Sequence, residues 1–268
     1  MTKMPELPET RDSLLSLRDG VALLRFNRHD LRNALTGTAL VDDILAVCDW
    51  VNRDTRVGAL VLTGEGSAFS AGGNIKDMAG RSGMFGGEGL DIQDAYRHGI
   101  QAMTRAVHRV EVPVIAAING PAIGAGLDLA CMCDIRLAAD HARLAESFVN
   151  LGLVPGDGGA WFLPRLLGPQ RAAELSFSGR MLGAAEAQAI GLVLEVLPGD
   201  RLLPRALEMA GSFAVKPRRA LRLTKRLLRA GPHLPLDDFL DHCAALQALA
   251  HHSQEHGDAL AAALAPTP

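Results

Sequence analysis

The stretch AFSAGGNIKDM, residues 68–78, sets two small residues and two glycines ahead of a short charged run. It follows the apolar run VGALVLTG (57–64), which is bounded by Gly64. A short apolar run closed by a glycine reads as a buried strand. The chain therefore places its least bulky residues where a strand ends and a helix begins. The same plan recurs downstream. ALVLTGEGSAFSAGGN (59–74) and VIAAINGPAIGAGLDL (114–129) each run from apolar strand through glycine and small-residue loop to a helix start. No fixed-period repeat extends beyond this echo.

Small residues let a ligand approach the backbone. The first N–H groups of a helix have no internal partner and carry partial positive charge. Two such turns face to face would present convergent N–H donors, the construction of an oxyanion hole. The plainer alternative is tight strand–helix packing with no ligand.

The 268 residues allow one large domain, or one with an appendage. At 48% apolar residues the chain can bury a substantial core. A net charge of -3 and 4% aromatic content argue against a nucleic-acid protein. No apolar run has the length of a membrane helix, and the polar start MTKMPELPETRDSLL lacks the apolar segment of a signal peptide. Cys48, Cys131, Cys133 and Cys243 lie in apolar or helix-like surroundings, and Cys131 and Cys133 form only a C-x-C. They read as reduced, buried thiols of a cytoplasmic protein. No histidine falls at metal-ligand spacing, so no metal is expected.

Outward from the two turns, SLLSLRDGVALLRFNR (13–28) reads as a hairpin turning at Asp19-Gly20. Leu40, Ile44, Val47 and Val51 recur at helical spacing. The first half of MAGRSGMFGGEGLDIQDAYRHGIQAM (78–103) is a glycine-rich loop, and its second half joins a helix running to about Val110. DIRLAADHARLAES (134–147) reads as two short strands, and EAQAIGLVLEVLP (186–198) as a helix followed by a strand. After Pro198 only helices are expected, over 201–215, 217–230 and 236–263. A boundary near residue 200 divides a mixed α/β body, 1–200, from an Ala/Leu-rich tail, 201–268, able to pack on its own body or on another subunit.

Other chemistries fit poorly. The glycines at 120, 124 and 126 are not spaced as in a dinucleotide fingerprint, and no phosphate-binding G-x-x-x-x-G-K-[ST] occurs. Ser70 lies in FSAGG rather than a nucleophile elbow, and a turn serine ordinarily bonds locally.

AFSAGGNIKDM and NGPAIGAGLDLACMCDIRLAA (119–139), followed by LGLVPGDGGAWFLPRLLG (151–168), resemble the crotonase superfamily, the enoyl-CoA hydratase/isomerase family. The resemblance runs from about residue 14 to the end. It implies an α/β spiral of ββα units with a C-terminal helical trimerisation region, assembled as a homotrimer or dimer of trimers. It implies an acyl-CoA thioester as substrate, coenzyme A being part of that substrate and no further cofactor being needed. The thioester carbonyl would lie between the Ala71 and Ala125 N–H groups. Residues Ala68, Ala71, Gly72, Gly73, Asn74, Ile75 and Lys76 would line the adenine and pantetheine path, with Arg28, Lys76 and the basic run 216–229 as phosphate partners.

A thioester in such a hole has an acidified α-carbon, and the enolate needs a proton carrier within reach. The first glutamate of the family's hydratases falls on Asp128 and the second on Phe148, which cannot accept a proton. That departure favours double-bond isomerisation over hydration, while the overall resemblance favours hydratase. Glu146 and Asp157 are the other candidate carboxylates. Each also has a structural reading: Asp128 near a helix N-terminus, Glu146 paired with an arginine, Asp157 as a helix cap. On a strand, Glu146 would share a face with Phe148. A non-catalytic acyl-CoA binder and a thioester hydrolase are the competing functions.

Overall fold

The computed structural model describes residues 6–265; the first residues of the polar N-terminal stretch and the last three of the tail lie outside it. Strands and helices are numbered in chain order. β1 (Ser13–Arg18) and β2 (Val21–Phe26) form the expected antiparallel hairpin. Asp19 and Gly20 both take positive φ, 50° and 78°, the backbone a two-residue hairpin turn needs.

β2 then pairs in parallel with β3 (Ala59–Gly64), β3 with β4 (Val114–Ile118), β4 with β6 (Ile135–Ala139), and β6 with β9 (Glu195–Leu197). The order is β1-β2-β3-β4-β6-β9. Parallel neighbours require crossovers, and α1 (Leu40–Arg53) supplies the first between β2 and β3. Its apolar stripe, Leu40, Ile44, Val47 and Val51, is fully buried. Every residue of β4 is buried, as an apolar run covered on both faces must be. A small second sheet holds β5 (Ala122–Ile123), β7 (Arg143–Ala145) and β8 (Leu182–Gly183) in the order β5-β7-β8.

The segment 78–103 is more helical than its glycines imply. It takes in the end of α2 (Ile75–Ala79), all of α3 (Gly89–His98) and the start of α4 (Ile100–His108), the last two separated at Gly99. A capping box at Glu88 and Asp91 starts α3, a signal spaced as the pattern requires but built from two acids.

Past the expected boundary near residue 200, the first helix packs back on the body. α9 (Gly199–Ala214) lies on the sheet against β2, β3, β4, β6 and β9, burying Leu202, Ala206, Met209, Ala210 and Ala214. A Cβ on Gly58 would fall 2.7 Å from the Ala214 Cα, so helix and strand backbones nearly touch. α10 (Arg218–Ala230) is docked too, by a polar seam. Lys225 is buried with Nζ 2.5 Å from Asp134 and 2.6 Å from the Val112 carbonyl oxygen. Arg222 donates to Glu111 and to the carbonyls of Val51, Asn52 and Asp54, and Arg229 donates to that of Val110. The basic run expected to meet phosphates or water instead fastens a helix to the body. Of the helices after Pro198, α11 (Leu236–His251) and α12 (Gln254–Leu264) carry no buried residue among the described residues. The single long helix expected there breaks at Ser253, whose hydroxyl caps α12 through the His256 N–H.

Candidate active site

The two small-residue turns pack on each other. Phe69 and Ser70 donate to the Pro121 carbonyl, both at 3.1 Å, and Ile123 donates back to Ser70 O at 3.0 Å. A Cβ on Gly126 would lie 2.2 Å from Ser70 O, so no larger residue fits there. Ser70 itself is buried; its hydroxyl donates to Asn33 O at 2.7 Å and accepts from the Gly72 N–H at 3.1 Å. That is local turn chemistry, and it leaves no free nucleophile.

Behind the second turn, α5 (Ala125–Met132) begins immediately after Gly124. Gly72, at φ 76°, is pressed against that helix start: a Cβ there would lie 2.3 Å from Ile123 O and 3.0 Å from the Ala125 N. The Ala125 N–H has no acceptor among the described residues. The Ala71 N–H, expected beside it, is otherwise engaged, donating to Arg32 O at 2.9 Å. Two residues on, the Gly73 N–H has no acceptor among the described residues, while the Gly72 carbonyl accepts from Leu35 at 2.7 Å. The free donor of the first turn is thus Gly73. The sequence signal was present, since Gly72-Gly73 is where the backbone is barest, but hydrogen-bond use is decided by the neighbouring Arg32 strap.

Downstream, Asn74 caps α2 by accepting from the Lys76 N–H at 3.0 Å. Ile75 and Lys76 are exposed, and Ala68 is buried in the core. Arg28 does not present a free cation: its guanidinium donates to Asp30 at 3.0 and 2.9 Å and to Asp12 at 3.2 Å.

The three candidate carboxylates come together. Asp128 (α5), Glu146 (just past β7) and Asp157 (the turn before α6, Gly159–Leu167) are 0%, 1% and 2% exposed. Asp128 Oδ2 accepts from the Gly159 N–H at 3.0 Å. A Cβ on Gly159 would lie 2.2 Å from both Asp128 Oδ1 and Glu146 Oε1, so these oxygens are neighbours facing the same bare point of α6. Asp128 Oδ1, both Glu146 oxygens and Asp157 Oδ2 have no hydrogen-bond partner. Among the described residues no salt bridge reaches any of the three.

Two structural readings fail here. Glu146 meets no arginine, and it shares no strand face with Phe148, because β7 ends at Ala145 and Phe148 opens a 3-10 turn. Asp157 does not cap α6, whose N-cap Gly158 has no side-chain partner. Burial removes water from all three acids and disfavours their charged forms. Asp128 is pushed well above the ordinary carboxylate range by burial and then by the charges of Glu146 and Asp157. Burial raises Glu146 and Asp157 each to about 7. The three acids thus bind protons more tightly than ordinary carboxylates, and their closeness links their titrations.

A cavity of about 360 Å³ opens beside Asp157, lined by Tyr96, Gln101, Val154 and Gly156 among others. α4 fixes this wall: Gln101 donates to Gly156 O at 2.9 Å and Thr104 to Asp157 O at 2.7 Å. Tyr96, the only tyrosine in the chain, is raised by burial and by Asp157. It escaped the sequence reading because nothing in the glycine-rich segment marks which face of α3 turns inward. Phe148 packs against the second turn. A Cβ on Gly124 would lie 3.6 Å from Cζ of its ring, which sets an apolar surface against the start of α5.

The sequence pattern of enoyl-CoA hydratase/isomerase matches residues 16–260. The chain belongs to the enoyl-CoA hydratase/isomerase family. It is 37% identical over 227 residues to crotonyl-CoA hydratase of Syntrophomonas wolfei, covering 84% of each chain. It is 33% identical to 4-chlorobenzoyl coenzyme A dehalogenase-1 of an Arthrobacter species, over 84% of this chain and 80% of the other. The crystal structure of enoyl-CoA hydratase from Bacillus anthracis superposes with a TM-score of 0.87 at 31% identity, covering 94% and 95%. The fold is the crotonase fold, and the chain is an enzyme of hydratase/isomerase type acting on acyl-CoA. Among the described residues no helix is long and apolar enough to cross a membrane, and no three candidate ligands gather around a metal position.

Proposed function

We propose that the thioester carbonyl of an enoyl-CoA binds between the Gly73 and Ala125 N–H groups, and that Asp128 moves a proton along the acyl chain, shifting its double bond. Asp128 takes a proton from the α-carbon of a 3-enoyl-CoA, and the charge passes to the thioester oxygen in the hole. The same carboxyl then gives its proton to the γ-carbon, leaving the 2-enoyl product. Two backbone donors stabilise the dienolate, and losing one such donor typically costs on the order of 3–4 kcal/mol of barrier. CoA runs past Ala68, Gly72, Gly73, Asn74 and Ile75, with Lys76 free to meet a phosphate. The reaction needs no cofactor beyond the substrate's own coenzyme A.

The observation that carries the choice of isomerisation over hydration is Phe148. Its ring lies against Gly124, one residue before the Ala125 donor. Hydration needs a second carboxylate to activate water, and a phenyl ring there offers neither a base nor a water site. The test measures 3-enoyl-CoA isomerisation, crotonyl-CoA hydration and free-CoA release on one preparation. Isomerisation is expected to dominate. Dominant hydration overturns the reading, dominant CoA release makes the protein a hydrolase, and binding with no turnover makes it a non-catalytic acyl-CoA binder. Phe148→Glu is expected to raise hydration relative to isomerisation.

The assembly we propose is a homotrimer or dimer of trimers of a cytoplasmic protein. Its support is the tail: Leu236, Leu240, Leu249, Leu260 and Leu264 are exposed in the single chain, and apolar helices of this kind are covered by a partner. The four cysteines are free thiols, three of them buried. Light scattering should report a trimer or hexamer, and a monomer at micromolar concentration refutes this.

A further inference from the structure

The proton shuttle uses Asp128 and leaves Glu146 and Asp157 without a task; of these two, Glu146 is the one that faces Asp128 across Gly159. Its side chain is 1% exposed, and both of its oxygens lack a hydrogen-bond partner while Oε1 points at the same bare Cα as Asp128 Oδ1. A carboxylate so placed would be dehydrated, unpaired and beside another acid, an arrangement that persists only if a proton neutralises part of it. We infer that Asp128 and Glu146 hold one proton between them, and that Glu146 is a positioning residue whose task is to take that proton from Asp128 so that Asp128 can act as base. This rests on the reading of Asp128 as the proton carrier.

The exchange is internal and balanced: protonated Asp128 and ionised Glu146 become ionised Asp128 and protonated Glu146, with no proton gained or lost by the protein. Ionised Asp128 then takes the substrate proton, and returns it at the γ-carbon. Gly159 makes the arrangement possible. It gives Asp128 a fixed N–H at 3.0 Å, which orients one oxygen, and its missing Cβ leaves room for the other to meet Glu146. Glu146 thus sets a second carboxylate beside Asp128, two residues before Phe148 in the chain.

The surrounding charged and titratable groups are few. Asp157 approaches from the turn before α6, and its charge raises the affinity of both acids for protons. Tyr96 on α3 and the Cys131 thiol on α5 are pushed up by burial and stay neutral. Arg136 on β6 acts on Cys131 and is itself held by the carbonyls of Cys133 and Leu192.

The test is Glu146→Gln, which keeps the shape and removes both the second proton seat and its charge. The acid limb of the kcat/KM profile for the isomerised substrate is expected to move to lower pH, because Asp128 loses a like charge. A structural role for Glu146 would alter stability and leave that limb in place, and an unmoved limb overturns the inference. The second measurement needs no substrate. In the unliganded native protein at pH 7, infrared spectroscopy should show a protonated carboxyl C=O band that both Asp128→Asn and Glu146→Gln change. A band indifferent to Glu146→Gln, or a native protein with no protonated carboxyl at pH 7, overturns the inference. If Glu146→Gln fails to fold, the pH titration of the native band decides. A broad two-step loss supports a shared proton, and a single step in the ordinary carboxylate range refutes it. An intact shared-proton band in a protein that does not isomerise would overturn the proposed reaction and leave this inference standing.

Discussion

Replacing Asp128 by asparagine separates chemistry from architecture. The side chain is fully buried and has one fixed partner, the Gly159 N–H at 3.0 Å on Oδ2. Asparagine has nearly the same volume, and its amide oxygen can accept that hydrogen bond. Its NH2 group then faces Glu146 Oε1 and can donate to a carboxylate that otherwise has no partner. The change removes a buried acid from a cluster of three, so folding stability at neutral pH should stay within about 1 kcal/mol of the native value or rise. Turnover should behave differently. Asparagine cannot carry a proton, and loss of a general acid–base group typically costs about 10²–10⁴-fold, roughly 3–5 kcal/mol of barrier. Thioester affinity should be unchanged, because the carbonyl is held by backbone donors that the substitution does not touch. Calorimetric titration with a non-isomerisable saturated acyl-CoA, thermal melting and a 3-enoyl-CoA assay on one preparation give all three numbers. Native turnover in this variant would remove Asp128 from the mechanism and leave Asp157 as the carrier. A loss of binding and folding in proportion to the loss of rate would make Asp128 a structural residue.

Three further outcomes are expected. Gly72→Ala places a Cβ 2.3 Å from Ile123 O at a φ of 76°, so it should push the two turns apart and abolish thioester binding together with turnover; normal binding would show that the hole does not depend on their contact. Glu146 and Asp157, raised by burial to about 7 from 4.5 and 3.8, bind protons more tightly folded than unfolded, so their stabilising contribution is complete below about pH 4 and is lost as pH rises through 7. The melting temperature should therefore decline between about pH 5 and 8, with a shallower slope in Asp157→Asn, and an unchanged slope in that variant would refute the assignment. Lys225→Ala leaves Asp134 and the Val112 carbonyl without their cation; because Asp134 is partly exposed we expect about 2 kcal/mol rather than the full cost of a broken buried pair, or roughly 4–8 °C in melting temperature, and no change would mean that the seam under α10 is dispensable.

The sequence by itself determined the elements whose signals are local. Asp19-Gly20 can turn only between paired strands, the stripe Leu40, Ile44, Val47 and Val51 can bury only as a helix, and an apolar run such as 114–118 is stable only inside a sheet. It also determined that two glycine-rich turns would lie at strand ends, because no bulkier residue tolerates the approach seen at Gly126. Tertiary structure decided what no local pattern encodes. Which N–H is left free depends on Arg32, a neighbour in space that takes the Ala71 donor and spares that of Gly73. Whether an acid is a cap, an ion-pair partner or a proton carrier depends on what surrounds it. Asp128, Glu146 and Asp157 come from a helix, a strand end and a turn, and only their shared burial, with no salt bridge to them among the described residues, turns three ordinary carboxylates into one cluster of raised proton affinity. The basic run 216–229 makes the same point: its charges are plain in the sequence, but their partners, the carbonyls at the end of α1 and Asp134 and Glu111, exist as a seam only once the chain has folded. Hydrophobic periodicity acts between residues a few positions apart, whereas hydrogen-bond satisfaction and desolvation act between residues that only the fold makes neighbours.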